Sequence, residues 1–184
     1  YFLFAVRALL GRSRQVRIQS DYESLAHFYA DRHALHMTAN AVVCDLDSTA
    51  HQPHFDKTLT ALIEERASIP VLCLTEGDLP VVVARFEDIP IRALLSRKDL
   101  DYCLHLAIYA VVGEGGTLVT ESIRELLRPE SDLGRNSKTI GPHKEHPSLA
   151  ARLAEILMWR IFVGLDNRDI QDELLLEHDT VRAY

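Results

Sequence analysis

The chain has 184 residues, room for one core of ordinary size and a small second one. At 47% hydrophobic and 26% charged it is excluded from the disordered class. No apolar run reaches the ~18–20 residues of a membrane span, because Arg7, Arg12 and Arg14 break up the apolar start at Tyr1 to Leu10, so a cytoplasmic protein with no membrane contact is expected. The formal charge of −7 is not the basic balance usual in a nucleic-acid binder. Cys44, Cys73 and Cys103 lie far apart without CxxC spacing, so they read as buried small hydrophobes and not as a zinc knuckle or disulfide framework.

Short apolar segments of strand composition alternate with segments of helical period, the pattern of a parallel sheet covered by helices. In chain order the expected strands are Gln15 to Gln19, Ala41 to Asp45, Ile69 to Thr75 and Ile91 to Ser96. The expected helices are Ser24 to Ala34, Phe55 to Ala67, Leu79 to Glu87 and Leu100 to Val112. Ala41-Val42-Val43-Cys44 is apolar on consecutive residues, as in a strand buried on both faces, and it stops at Asp45. Functional groups of open parallel sheets gather at the carboxyl ends of the strands. Three neighbouring strands would bring a carboxylate (Asp45), a hydroxyl (Thr75) and a cation (Arg97, after Ser96) to one edge.

Gly113-Glu114-Gly115-Gly116 stops the helix, and Thr117 to Leu127 reads as one further short helix. A first domain is therefore expected over 1–122 and a linker over 123–147, with Pro129 to Pro147 rich in Gly, Pro, Asn, Ser and Lys and lacking apolar periodicity. A second domain follows over 148–184. Ser148 caps a helix whose stripe is Leu149, Leu153, Ile156, Leu157 and Ile161, and Gly164 ends it. Asp166 caps a second helix through Leu174, and Glu177 or Asp179 a third.

Gly164-Leu165-Asp166-Asn167-Arg168-Asp169-Ile170, then Leu174-Leu175-Leu176 and Thr180-Val181-Arg182, resembles the helix-turn-helix signature of the LuxR/NarL-type response regulators. The N-terminal part resembles the receiver domain that precedes this module. Arg7-Ala8-Leu9-Leu10 is similar to the end of its first helix, Val42-Val43-Cys44-Asp45-Leu46 to its phosphoacceptor strand, and Leu94-Leu95-Ser96-Arg97 to its fifth strand. Ala107-Ile108 with Gly115-Gly116-Thr117 is similar to its last helix and exit.

The resemblance implies an α/β flavodoxin-like receiver followed by a small all-α helix-turn-helix domain, incomplete at its C-terminus. It places Tyr1 inside the first helix, so that the first strand and its metal-binding acids fall before Tyr1. The chain departs from the family where a lysine would stand, since Arg97 or, one residue back, Ser96 takes that place, and no aromatic switch residue stands in Ile91 to Leu95.

The resemblance further implies Asp45 as phosphoacceptor, with Thr75 moving toward the new phosphoryl group and Arg97 contacting it. Asp45 and Asp47 are the candidate Mg2+ ligands in a phosphorylatable receiver. The competing reading is a receiver fold that has lost phosphorylation and keeps Asp45 as a polar strand end. Asp45, Asp47, His51 and His54 together, or His33 and His36, could in principle hold a transition metal, but loop histidines are more often simply solvated. In the second domain His178, Thr180 and Arg182 are the candidates for bases of the major groove, and Asn167 and Arg168 for the DNA backbone.

A DNA-binding homodimer is expected, because two-fold half-sites require paired modules, with a sensor kinase as an open question. From Ser148 to Tyr184 four basic residues face seven acidic ones, a balance of −3. Either basic residues follow Tyr184, or the module has turned to protein contacts. The second function considered is therefore a regulatory or dimerisation protein that does not bind DNA. A small flavodoxin-like enzyme is a third and distant reading, opposed by the lack of a glycine-rich phosphate loop after a strand.

Overall fold

The computed structural model describes residues 16–31, 39–65, 67–100 and 104–140, together with Ile156, Arg168, Ile170 and Gln171. In these, β1 (Val42–Asp45), β2 (Val71–Thr75), β3 (Ala93–Ser96), β4 (Thr117–Thr120) and β5 (Ser137–Ile140) form one parallel sheet in the order β1-β2-β3-β4-β5. The helices are α1 (Leu25–Ala30), α2 (Leu46–Thr49), α3 (Phe55–Glu65), α4 (Leu79–Phe86), α5 (Arg97–Leu100), α6 (Leu104–Glu114), α7 (Glu121–Arg124) and α8 (Asp132–Asn136). This is a flavodoxin-like α/β arrangement, in which β1, β2 and β3 make the sequential run of strands and β4 and β5 extend it on the far side.

The chain divides into two compact units. One takes Gln19–Asp101 and Val111–Pro142 and holds the whole sheet. Its core follows from the sequence pattern. All five residues of β2 are buried, as expected where neighbouring strands and covering helices exclude water from both faces. Phe55, Leu59 and Leu62 recur at helical spacing on α3 and are buried, and Phe55 meets Phe86 of α4 edge to face with ring centres 6.2 Å apart. The second unit includes Tyr102–Ala110, Ile156, Arg168, Ile170 and Gln171. Ile156, Arg168, Ile170 and Gln171 are helical there, and Ile156 and Ile170 are buried. The rest of the expected helix-turn-helix lies outside the described residues.

Three expectations change. Val16 to Gln19 forms no strand, since two apolar residues stand among polar ones. The expected helix over Thr117 to Leu127 opens instead with the strand β4, whereas Leu100 and Leu104 to Val112 are helical as expected, with 101–103 outside the described residues. Part of the expected linker is ordered, with α8 and β5 inside it. Thr117 to Thr120 pairs with Ser137 to Ile140, and Arg124 pins the turn between them by donating to the Gly134 carbonyl and the Ser137 hydroxyl, both at 2.8 Å. Ser137 to Ile140 escapes a search for apolar periodicity because it is an edge strand whose Lys138 and Thr139 face water.

Candidate functional site

Each of the first four strands ends on a polar residue: Asp45, Thr75, Ser96 and Thr120. Apolar side chains are favoured while a strand is buried, and a polar group becomes affordable only where the chain leaves the sheet and finds hydrogen-bond partners. At this edge Ser96 N–H donates to the Thr120 hydroxyl at 3.0 Å, and the Asp99 carboxylate accepts from both the backbone and the hydroxyl of Ser122.

Asp45 caps α2, its Oδ1 accepting from the Asp47 N–H at 3.3 Å. The tight turn brings Asp47 back over the strand ends, and the donors of the edge converge on its carboxylate. Oδ1 accepts from the Thr75 hydroxyl at 2.8 Å and from Gly77 N–H at 3.2 Å. Oδ2 accepts from Glu76 N–H at 2.7 Å and from the Arg97 guanidinium. Arg97 also lies 3.3 Å from the Glu76 carboxylate. Gly77 lies close against the carboxylate: a Cβ on it would stand 3.1 Å from Asp47 Oδ1, so a larger residue would require that oxygen to give by a few tenths of an ångström.

Burial pushes the Asp47 carboxyl up, but the Thr75 hydroxyl, the Glu76 N–H, the Arg97 charge and the Gly77 N–H together outweigh it and hold the group below the ordinary aspartate value. Asp47 is therefore an anion, and the donor set around it has the character of an oxyanion site. The buried thiols are the opposite case. Burial, helped by the Asp45 charge, pushes Cys44 up to about 12, and burial raises Cys73 well above the usual thiol range, so neither is a nucleophile at neutral pH.

Thr75 and Arg97, expected at one edge, do meet, and the carboxylate that joins them is Asp47. Asp45 is one step removed, held to the Asp47 backbone. The signal for this hub was the spacing Asp45-Leu46-Asp47 after a strand together with Thr75-Glu76-Gly77, where a glycine two residues after the hydroxyl lets backbone amides approach an anion. Of the two candidate Mg2+ ligands, Asp47 is engaged by the Arg97 guanidinium and by hydrogen bonds to both oxygens, and Asp45 caps α2. Among the described residues no group of three or more His, Cys, Asp or Glu converges as a metal site, His51 and His54 included. Of the DNA candidates only Arg168 is described, exposed and helical, while Asn167, His178, Thr180 and Arg182 lie outside the described residues, as do His33 and His36. Among the described residues no helix is long and apolar enough to cross a membrane.

Solved structures superpose on this flavodoxin-like chain, whose sheet brings an acid, a hydroxyl and a cation to its carboxyl edge. A structure of two RcsB dimers bound to two parallel DNAs matches with a TM-score of 0.57 and 16% identity, over 99% of this chain and 81% of that one. RcsB from Salmonella enterica serovar Typhimurium, bound to promoter rprA in the presence of the phosphomimetic BeF3−, matches at 0.55 and 17% over 99% and 82%. A further Salmonella typhimurium RcsB response regulator, described for its conformational dynamism for DNA interaction, matches at 0.57 and 19% over 99% and 82%. No protein-family model matches the chain, and no curated protein sequence does. At these identities the likeness establishes the fold.

Proposed function

We propose that this chain is a DNA-binding transcriptional regulator of the response-regulator type, acting as a cytoplasmic homodimer, whose receiver-like unit works without phosphorylation of Asp45. The observation that carries the phosphorylation-independent part is the engagement of Thr75 and Arg97 by Asp47. In a phosphorylated receiver the hydroxyl and the cation would be drawn to a phosphoryl group on Asp45. Here both already have an anionic partner two residues further on, and Asp45 serves as a helix cap.

DNA binding is supported by the fold shared with RcsB over 99% of the chain and by the helix-turn-helix resemblance from Gly164 to Arg182. Asp45 as phosphoacceptor, Mg2+ as cofactor and a sensor kinase as partner are not needed in this reading. Thr75 and Arg97 act as the groups that hold the sheet edge, while Asn167, Arg168, His178, Thr180 and Arg182 meet DNA.

Two measurements test it. A gel shift on the upstream region of its own gene should show a complex that weakens as salt rises, whereas no complex, or one indifferent to salt, defeats the DNA reading. Intact mass after incubation with a small phosphodonor and Mg2+ should show no added phosphate, and a phosphorylated species would overturn the phosphorylation-independent part. A second reading, a regulator that contacts protein and not DNA, is favoured by the excess of acidic residues from Ser148 to Tyr184. It would be supported by the absence of any shifted band.

A further inference from the structure

We propose that the cavity at the amino edge of the sheet is a binding site for a small zwitterion with an apolar side chain, an α-amino acid of the aliphatic or aromatic kind. The cavity lies within the unit that holds the sheet, at the opposite end of the strands from Asp47, so it stands on other residues than the regulator reading does.

Its volume of about 300 Å3 is at the small end of the ~300–1,000 Å3 range of ligand pockets, which suits one small molecule. The floor is made where the chain enters the sheet. Ile63 of α3 and Ile69 precede β2, Val71 opens that strand, Ile89 and Ile91 lead into β3, and Leu133 of α8 closes the far side. Val71 and Ile91 are 2% exposed and Leu133 1%. An apolar side chain that displaces water from these branched aliphatic residues gains hydrophobic and dispersion contact.

The rim has the opposite character, with Arg92, Thr117, Asp132 and Asn136. Arg92 is exposed, and its hydrogen bond of 3.2 Å goes to the Gly115 carbonyl and not to an acid. Among the described residues neither Arg92 nor Asp132 has an ion-pair partner, so the two share a cavity without pairing with each other. A molecule carrying both signs satisfies both: the guanidinium fork takes a carboxylate and the aspartate an ammonium. An aliphatic acid would set its carboxylate beside Asp132, and an aliphatic amine its ammonium beside Arg92, each at a cost in like-charge repulsion.

The α8 wall is held before any ligand arrives. Leu133 N–H donates to the Glu87 carbonyl at 3.2 Å, and the Gly134 carbonyl accepts from Arg124 at 2.8 Å. Gly134 is so close to the preceding turn that a Cβ on it would stand 2.0 Å from the Arg128 carbonyl oxygen. A wall pinned in this way adds little ordering cost to binding.

The experiment titrates L-leucine, L-isoleucine and L-phenylalanine into the full chain, following thermal unfolding and the amide spectrum. Three fragments run beside them: isocaproate, which lacks the amine, leucinamide, which lacks the acid, and glycine, which lacks the side chain. A saturable rise in Tm, with shifts of the Arg92, Leu133 and Asn136 amide signals, is expected for at least one of the three amino acids. Each fragment should bind at least about tenfold more weakly, and R92Q and D132N should each weaken the amino acid by about tenfold, the loss of one charge-assisted contact. Both replaced side chains are exposed, so the variants should fold, and the fragment comparison on the wild type needs no variant. No saturable response to any of the three amino acids overturns the proposal. So does isocaproate, leucinamide or glycine binding as tightly as the amino acid, or an unchanged affinity in either folded variant.

Discussion

At Asp47 burial and hydrogen bonding pull the carboxyl in opposite directions, and the donors prevail. The sign of the pH dependence follows. A carboxyl held lower in the folded chain than in the unfolded one adds stability above its unfolded value, ~3.9, and that stability is lost as pH falls through the lower folded value. Replacing Thr75 by Val removes a hydroxyl that donates to a charged acceptor while nearly keeping the volume. T75V should therefore be less stable at neutral pH by about 1.5–3 kcal/mol, and its Asp47 carboxyl should titrate closer to ~3.9. Carbon-detected NMR titration of the Asp47 carboxyl, with urea unfolding at pH 7, measures both. An unchanged titration in T75V would show that the hydroxyl is a bystander.

Among the elements, the sequence was most transparent where burial is complete. β2 and β3 are read directly from consecutive apolar residues ending in Thr75 and Ser96, since a doubly covered strand admits nothing else, and β1 shows the same run up to Asp45 although, at the edge of the described sheet, only its Cys44 is fully buried. β4 and β5 were opaque for the converse reason: Thr117-Leu118-Val119-Thr120 has two apolar residues, and Ser137-Lys138-Thr139-Ile140 has one. The site was legible to the same depth. Strand ends foretold the edge that Thr75 and Arg97 share, but which carboxylate reaches them depends on the turn from Asp45 to Asp47, a tertiary detail without periodicity.

What joins the end of α4 to the segment leading into β5 is likewise tertiary. The Glu87 carboxylate, its side chain 7% exposed, accepts from Arg128 N–H at 3.2 Å and Arg128 Nε at 2.6 Å, while the Glu87 carbonyl accepts from Leu133 N–H at 3.2 Å. Arg128 is half exposed, so its charge is partly screened, yet its loss leaves a buried carboxylate with the backbone donor alone. R128A should be measurably destabilised and E87Q distinctly less, because the amide keeps the shape without a buried charge. Chemical denaturation orders the two, and an E87Q as damaging as R128A would mean that the carboxylate is not the cause.

For the whole molecule the unresolved tension is between a DNA-binding reading and a chain of formal charge −7. Counterion release turns that tension into a number. The exposed, helical Arg168 and the sequence-predicted Arg182 are the basic residues assigned to DNA, against Glu177 and Asp179 close by. The one charged phosphate contact per module, Arg168, gives a slope of log K against log[salt] of roughly −0.9, and a homodimer roughly −1.8, at about −0.9 per neutralised phosphate. A module of ordinary basic character, with about 6–10 phosphate contacts, would give a far steeper line. Fluorescence anisotropy with an operator fragment between 50 and 200 mM salt should therefore return a shallow but nonzero slope. R168A should weaken binding to all sequences alike and reduce the slope by about 1 per module, the signature of a lost phosphate contact. A slope of zero would move the chain to the protein-contact reading, and an unchanged slope in R168A would remove that residue from the interface.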